Sequence, residues 1–306
     1  MKILVFGSKG LVGSSTVKTL KEKNIYKQVI ASNRGDTNLF DFNSTYKTIS
    51  EESPDVIVNA AARVGGIVAN NTNRFEFIVE NLKINLNILE AIKDFKNIRL
   101  INLGSSCIYP LDADNPIKEE YIMSGKLEPT NSPYAMAKLT AIEIGNSMKQ
   151  QFGMNITNLM PTNLYGPNDN FSETESHVIP GLIRRMHNSK INNDDEFKIW
   201  GTGNPKREFL YAEDLAEAIN FVISNEISEE ILNVGSNQEV TIKRLAKIIR
   251  DEIDYKGSLT FDTSKPDGNP RKLLDSRKIF ELGWKPKVKL EKGINKTYKW
   301  FLDNIV

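Results

Sequence analysis

Lys2-Ile3-Leu4-Val5-Phe6 runs straight into Gly7-Ser8-Lys9-Gly10-Leu11-Val12-Gly13, and an amphipathic stretch follows over Leu11–Glu22. A short apolar run stopped by glycine reads as a buried strand, and the periodic stretch behind it as a helix. The three glycines have separate tasks at such a junction. One permits the tight turn, one lets a pyrophosphate approach the backbone, and one lets the helix pack closely on the strand. The free N–H groups of the helix then face the phosphates. The spacing is G-x-x-G-x-x-G rather than G-x-G-x-x-G, so the strand–loop–helix context carries the assignment more than the motif does. Gly7, Lys9, Gly10, Leu11, Val12 and Gly13 are the expected cofactor contacts.

Outward from this junction the alternation repeats. Apolar runs recur at Gln28–Ala31, Val56–Asn59, Arg99–Leu103 and Asn155–Met160, with amphipathic stretches at Phe75–Phe95 and Tyr134–Phe152. Continuous apolar strands separated by helices predict a parallel sheet covered on both faces, the doubly wound α/β architecture of Rossmann type. After Pro161 the pattern changes. Turn-rich Tyr165–Asn170 precedes a helix over His177–Asn188, a polar loop over Asn188–Glu196 and a strand at Phe197–Trp200. Helices are expected over Leu215–Asn225, Ile242–Ile253 and Leu290–Phe301, and a strand at Ile231–Val234. The expected division is a nucleotide-binding domain over 1–165 plus about 210–235, and a smaller C-terminal substrate-binding region over 166–209 plus 236–306.

Composition narrows the function. The 306 residues carry 40 basic and 39 acidic side chains, a formal charge of +1, which gives no electrostatic reason to expect nucleic acid or a membrane surface. No apolar run nears the ~18 residues that span a bilayer, and the chain opens on a strand without the basic region of a signal peptide. A cytoplasmic protein ending at Val306 without an extra module is expected. One cysteine, Cys107, cannot form an internal disulfide, and no Cys/His spacing suggests a metal.

The end of the second strand selects the dinucleotide. An NAD site usually places an acidic residue there for the ribose 2′-hydroxyl; here the position is Asn33 or Arg34. A guanidinium suits a 2′-phosphate, and Lys9 adds charge, so NADP(H) is expected. Asn59-Ala60-Ala61-Ala62 ends another strand with small side chains that leave room for a flat ligand, Ala61 among them.

Tyr134 and Lys138 are four apart on a predicted helix and share one face. An ammonium beside a phenol is expected to lower its pKa and ready it for proton exchange with a carbonyl. Before them comes Gly104-Ser105-Ser106-Cys107-Ile108-Tyr109-Pro110, which ends the fourth strand. By itself a cysteine at a strand end is usually a small buried hydrophobe.

Together the glycine loop, the Ser-rich strand end and the Tyr/Lys pair resemble the extended short-chain dehydrogenase/reductase family, over the whole chain. The resemblance implies that Ser105, with Ser106 as its neighbour, holds the substrate carbonyl. It also implies that Lys138 reaches the nicotinamide ribose, and that Leu103, Gly104, Pro161, Asn163, Leu164 and His177 line the cofactor.

Longer stretches narrow it: Ala62–Asn71, Gly104–Pro110, Pro161–Pro167, Ser176–Pro180, Trp200–Leu210 and Lys265–Asp275. These are similar to the GDP-L-fucose synthase branch. That resemblance implies NADPH-dependent 3,5-epimerisation and C4 reduction of GDP-4-keto-6-deoxy-D-mannose. Cys107 and His177 would be the acid/base pair at the carbons flanking the ketone, and a homodimer would be built on the helix carrying Tyr134. Reduction of a related GDP-4-keto sugar, such as a heptose, without epimerisation stays open.

A GDP-sugar needs cations and a stacking surface. Arg185, Arg207 and Arg271 suit the diphosphate, Trp200 the base, and Asp267 a sugar hydroxyl. Lys9 and Gly181 depart from the family pattern, where Arg and Ala are common.

Overall fold

The computed structural model describes every residue from Met1 to Val306 except Pro266, which is part of the Lys265–Asp275 stretch quoted above. The chain begins with β1 (Lys2–Phe6), α1 (Leu11–Lys23), β2 (Gln28–Ser32), α2 (Phe42–Glu52) and β3 (Val56–Asn59). It continues with α3 (Ile67–Thr72), α4 (Arg74–Ile92), β4 (Arg99–Leu103), α5 (Ser132–Phe152) and β5 (Ile156–Pro161). With β9 (Ile231–Val234) these strands form one parallel sheet of order β2-β1-β3-β4-β5-β9. Helices cover both faces, which is why Ile3 to Phe6 and Val56 to Val58 are buried and read as unbroken apolar runs.

Three asparagines set the level of the site in this sheet. Asn59, Asn102 and Asn158 lie opposite one another on β3, β4 and β5. Residues in register project to the same face, so their amides join across the strands at 3.0 and 3.1 Å, and Asn85 of α4 accepts from Asn59 at 3.2 Å. The Asn59 side chain also accepts from the Ala61 N–H at 3.2 Å, shaping the turn at the carboxyl edge. Losing one member would leave a buried amide unpaired, at a cost of about 1–3 kcal/mol.

The rest of the chain contributes β6 (Asn163–Tyr165), α6 (Val178–Asn192), β7 (Glu196–Trp200), β8 (Lys206–Tyr211) and α7 (Ala212–Ser224). After β9 come β10 (Glu239–Thr241), α8 (Ile242–Ile253), β11 (Ser258–Asp262), β12 (Arg271–Lys272), α9 (Arg277–Glu281) and α10 (Leu290–Asn304). Strands β6, β8, β10 and β12 make a small sheet, and β7 pairs with β11. Its own core includes Tyr165, Phe171, Phe197, Phe209, Tyr298 and Phe301. Buried Glu208 ties this region together, accepting from the Asn237 and Leu274 N–H groups at 2.7 and 3.1 Å. Burial raises its carboxyl pKa, and these hydrogen bonds pull it back down.

Three features depart from the sequence reading. Helix α2 was not expected, because only Thr45 and Ile49 of its polar sequence are buried. The polar loop expected from Asn188 is helical to Asn192 and ends where Asn193 turns left-handed at φ 59°. The chain also returns to the sheet late, with Ile279 and Trp284 packed into the core beneath β1 and β3.

Candidate active site

The nucleotide loop is shaped by what glycine lacks. Gly7 has φ +76°, and a Cβ there would lie 2.7 Å from the Ala61 nitrogen. A Cβ on Gly13 would lie 2.1 Å from the Gly7 carbonyl oxygen. The Gly10 N–H is used by that same carbonyl at 3.0 Å, and Gly10 precedes α1 with no side chain to cap it. Leu11, Val12 and Gly13 therefore present first-turn N–H groups with no intrahelical acceptor. Ser8 donates to the Ser32 carbonyl at 3.1 Å, which sets the loop beside the end of β2. There the Asp36 carboxylate is folded back on the Asn33 N–H at 2.9 Å. Arg34 is exposed, its guanidinium 5.3 Å from the centre of the Phe40 ring, and it meets no carboxylate within 4 Å among the described residues. A backbone cradle flanked by exposed Lys9 and Arg34 fits a dinucleotide carrying a 2′-phosphate. At the other strand ends, Lys138 bonds the Leu103 carbonyl and Gly104 donates to Leu159. Asn163 donates its amide to the Glu208 carbonyl at 2.9 Å, beside Pro161 and Leu164.

Ser105 is the hub of the reactive groups. Its hydroxyl accepts from the Cys107 N–H at 3.2 Å, which caps a tight turn over Ser106–Ile108. The same hydroxyl neighbours the Tyr134 phenol and draws its pKa downward. Lys138 is 2% exposed; its ammonium donates to the Leu103 carbonyl at 2.7 Å and lies 5.8 Å from the Tyr134 ring centre. Burial pushes the Lys138 pKa down to about 8.

The expected lowering of the Tyr134 pKa is not what the structure shows. Burial raises it, the neighbouring Cys107 adds to the rise, and only Ser105 opposes. An enclosed phenol resists ionisation, and the ammonium is held at Leu103 rather than at the phenol oxygen.

His177 immediately precedes α6, and surrounding protein pushes its pKa below the ordinary value. Its segment is docked through a diglycine. Gly66 donates to the Glu175 carbonyl at 2.9 Å, and a Cβ on Gly66 would lie 2.6 Å from the Ser176 oxygen. A Cβ on Gly65 would lie 3.1 Å from the Phe77 ring, and Phe77 packs edge-on against Tyr134 at 6.5 Å. A Cβ on Gly181 would meet the Ser176 hydroxyl at 2.8 Å, a contact that favours glycine over alanine here.

Two residues of this neighbourhood were not picked out from sequence. Phe77 reads as one more apolar helix position. Asn131, just before α5, donates to the Cys107 sulfur at 3.4 Å; in Thr130-Asn131-Ser132-Pro133 it reads only as a helix cap.

The arginines part company. Arg185 of α6 lies over the rings of Phe197 and Trp200, 5.5 and 5.6 Å from their centres, and Trp200 is 61% exposed. Burial lowers the pKa values of Arg185 and Arg207, the Asp267 carboxylate offsetting part of this for Arg207, and neither forms an ion pair within 4 Å among the described residues. Arg271, in contrast, is held by both oxygens of Glu239 at 2.6 and 2.7 Å, which removes it as a phosphate ligand. Asp267 faces the turn after β7, accepting from the Thr202 N–H at 2.9 Å and its hydroxyl at 2.6 Å. No helix among the described residues is long and apolar enough to cross a membrane.

Comparison with known proteins agrees with this geometry. The model of the NAD dependent epimerase/dehydratase family matches residues 3–235. GDP-L-fucose synthase 1 of Arabidopsis thaliana is 44% identical over 304 residues, covering 99% of this chain and 94% of that protein. A solved GDP-L-fucose synthetase from Naegleria fowleri bound to NADP is similar with a TM-score of 0.89 at 28% identity, covering 99% of this chain and 94% of the other. A GDP-6-OMe-4-keto-L-xylo-heptose reductase from C. jejuni gives a TM-score of 0.90 at 30% identity, covering 99% and 97%.

Proposed function

The chain belongs to the NAD dependent epimerase/dehydratase family, and we propose that within it this enzyme converts GDP-4-keto-6-deoxy-D-mannose to GDP-L-fucose with NADPH. The observation that carries the reading is the convergence of Cys107 and Tyr134 on Ser105, which sets a thiol beside a reductase centre. A reductase alone needs Ser105, Tyr134 and Lys138 and has no use for the thiol. The 44% identity to a fucose synthase over nearly the full chain supports the same assignment.

The 4-keto group acidifies the C–H bonds at C3 and C5. Cys107 and His177 exchange protons at those carbons from opposite faces, while the Tyr134 and Ser105 hydroxyls bind the enolate oxygen. His177, at the exposed start of α6, supplies the second proton-exchanging group. NADPH, when bound, supplies the hydride for C4. Tyr134 then gives its proton to the C4 oxygen, and Lys138, two of whose N–H groups lie outside the Leu103 bond, orients the ribose. Leu11, Val12 and Gly13 would hold the pyrophosphate, and Arg34 with Lys9 the 2′-phosphate. Arg185 and Arg207 would bind the GDP diphosphate and Trp200 the base. Asp267 acts on the sugar only if a hydroxyl joins Thr202 at its carboxylate.

Residues 1–165 and about 210–235 serve as the cofactor domain, and 166–209 with 236–306 as the substrate domain, apart from Ile279 and Trp284, which pack with the cofactor-domain core. A cytoplasmic homodimer completes the proposal. Helices α4 and α5 pack together and leave Leu86 and Met136 more than 40% exposed, a surface suited to a second copy.

Incubation with GDP-4-keto-6-deoxy-D-mannose and NADPH in heavy water tests the reading. The product should carry deuterium at C3 and C5. Reduction without deuterium at either carbon would instead identify a plain C4 reductase. In Cys107→Ser, exchange should fall by about 10²-fold or more while hydride transfer to pre-epimerised ketone persists.

A further inference from the structure

We infer that Asn131 is a positioning residue for the epimerisation: its amide N–H orients the Cys107 sulfur, and its carbonyl oxygen takes a hydroxyl of the bound hexose. The inference rests on the proposed epimerase chemistry for its second half and on geometry alone for its first.

Asn131 stands at the N-cap of α5, where an asparagine side chain ordinarily accepts from the backbone N–H groups of the first turn. It makes no such bond. Glu128 organises the turn instead, its carboxylate accepting from the Thr130 and Asn131 N–H groups at 3.1 Å each and from the Thr130 hydroxyl at 2.5 Å. Pro133 removes a further donor from the first turn. Relieved of capping, the side chain turns toward the strand end, and Nδ2 donates to Cys107 Sγ at 3.4 Å. The other end of the amide, Oδ1, is buried without a hydrogen-bond partner among the described residues. An unpaired buried carbonyl costs about 1–3 kcal/mol, and here it sits one side chain from the reactive sulfur. A donor brought by the substrate would satisfy it, and a sugar ring carries hydroxyls next to the carbons that exchange.

The two ends of the amide therefore have complementary uses. An N–H directed at sulfur favours the thiolate over the thiol. That thiolate takes the proton from carbon, the C–H electron pair passes into the enolate, and the negative charge moves from sulfur to the C4 oxygen beside Ser105 and Tyr134. The hydroxyl on Oδ1 fixes the ring so that the C–H bond faces the sulfur.

Asn131→Asp keeps the shape, removes the N–H and sets a carboxylate beside the sulfur. Because Cys107 is the only cysteine, iodoacetamide alkylation reports it without interference and needs no substrate. Alkylation at pH 7 should slow about tenfold, since the new carboxylate faces the attacking sulfur and the N–H that oriented it is gone. Deuterium exchange at C3 and C5 should fall in parallel, and reduction of pre-epimerised ketone should fall less than exchange, because that step uses the hydroxyl contact but not the sulfur, and Tyr134 carries its proton. Asn131→Ala, which adds no charge, provides the same readout if the aspartate variant does not fold; NADPH binding confirms the fold of either. Coincident alkylation profiles for variant and parent overturn the inference, as does a loss of reduction equal to the loss of exchange. A shifted alkylation profile in an enzyme that turns over no GDP-4-keto sugar would sustain the Asn131–Cys107 pairing and reject the proposed function.

Discussion

The nucleotide loop and the Arg185–Arg207 wall both suit anions, and they do so by opposite means. The loop uses no charge of its own at the cradle. It offers backbone N–H groups at the start of α1, and its shape depends on hydrogens where side chains would clash, at Gly7 and Gly13. The wall offers guanidiniums that form no ion pair within 4 Å among the described residues, Arg185 set over the rings of Phe197 and Trp200. A backbone site is written in consecutive residues and tolerates almost no substitution. A side-chain site is assembled from α6, β7 and β8, and its strength depends on which arginines the fold leaves unpaired.

The largest expected effect is on the loop. With a Cβ 2.1 Å from the Gly7 oxygen, Gly13→Ala must displace backbone, at a cost of up to about 3 kcal/mol. NADPH affinity, read by nucleotide fluorescence, should fall roughly a hundredfold. Unchanged affinity would mean the loop is less closely fitted than its geometry.

Lys138, at the seam between cofactor and substrate, should show itself in stability. Its folded pKa is about 8 against the ordinary 10.5, so above pH 8 the unfolded chain binds the extra proton and stability rises with pH. The burial penalty is fully present below pH 8, is relieved as pH climbs toward 10.5, and amounts to about 3 kcal/mol. Urea denaturation between pH 7 and 9.5, before the tyrosines titrate, should show this rise in the parent protein. Lys138→Met should lack it, being inactive yet no less stable at pH 7. A parallel rise in both proteins would place the titration elsewhere.

On the wall, Arg207→Met should raise KM for the GDP-sugar by about 10- to 100-fold with kcat little changed, the range for a charge-assisted contact of roughly 1.5–3 kcal/mol. Arg271→Met should have the smallest effect, below about threefold in KM and within about 1 kcal/mol in stability, because it breaks only an exposed ion pair with Glu239. Equal effects at the two positions would erase the distinction between paired and unpaired arginines.

The same contrast explains what could be read in advance. Strands β1 and β3 to β5 were legible because both sheet faces are buried, which leaves an apolar signature in the residues themselves. Tyr134, Lys138 and Ser105 stood out as candidates because a helical turn and a strand end fix their relations locally. Helix α2 was not, since it buries little, and neither was the late return of Ile279 and Trp284 to the sheet.

Sequence by itself determined the doubly wound fold and the phosphorylated nicotinamide dinucleotide, both of which depend on spacing along one strand, turn or helix. Tertiary structure alone decided the rest. It set the direction of the Tyr134 pKa, because desolvation depends on everything that encloses the ring. It divided Arg207 from Arg271 through a carboxylate 32 residues away from the latter. And it turned Asn131 from a helix cap into the partner of a sulfur 24 residues earlier, because hydrogen-bond partners are chosen by proximity in space.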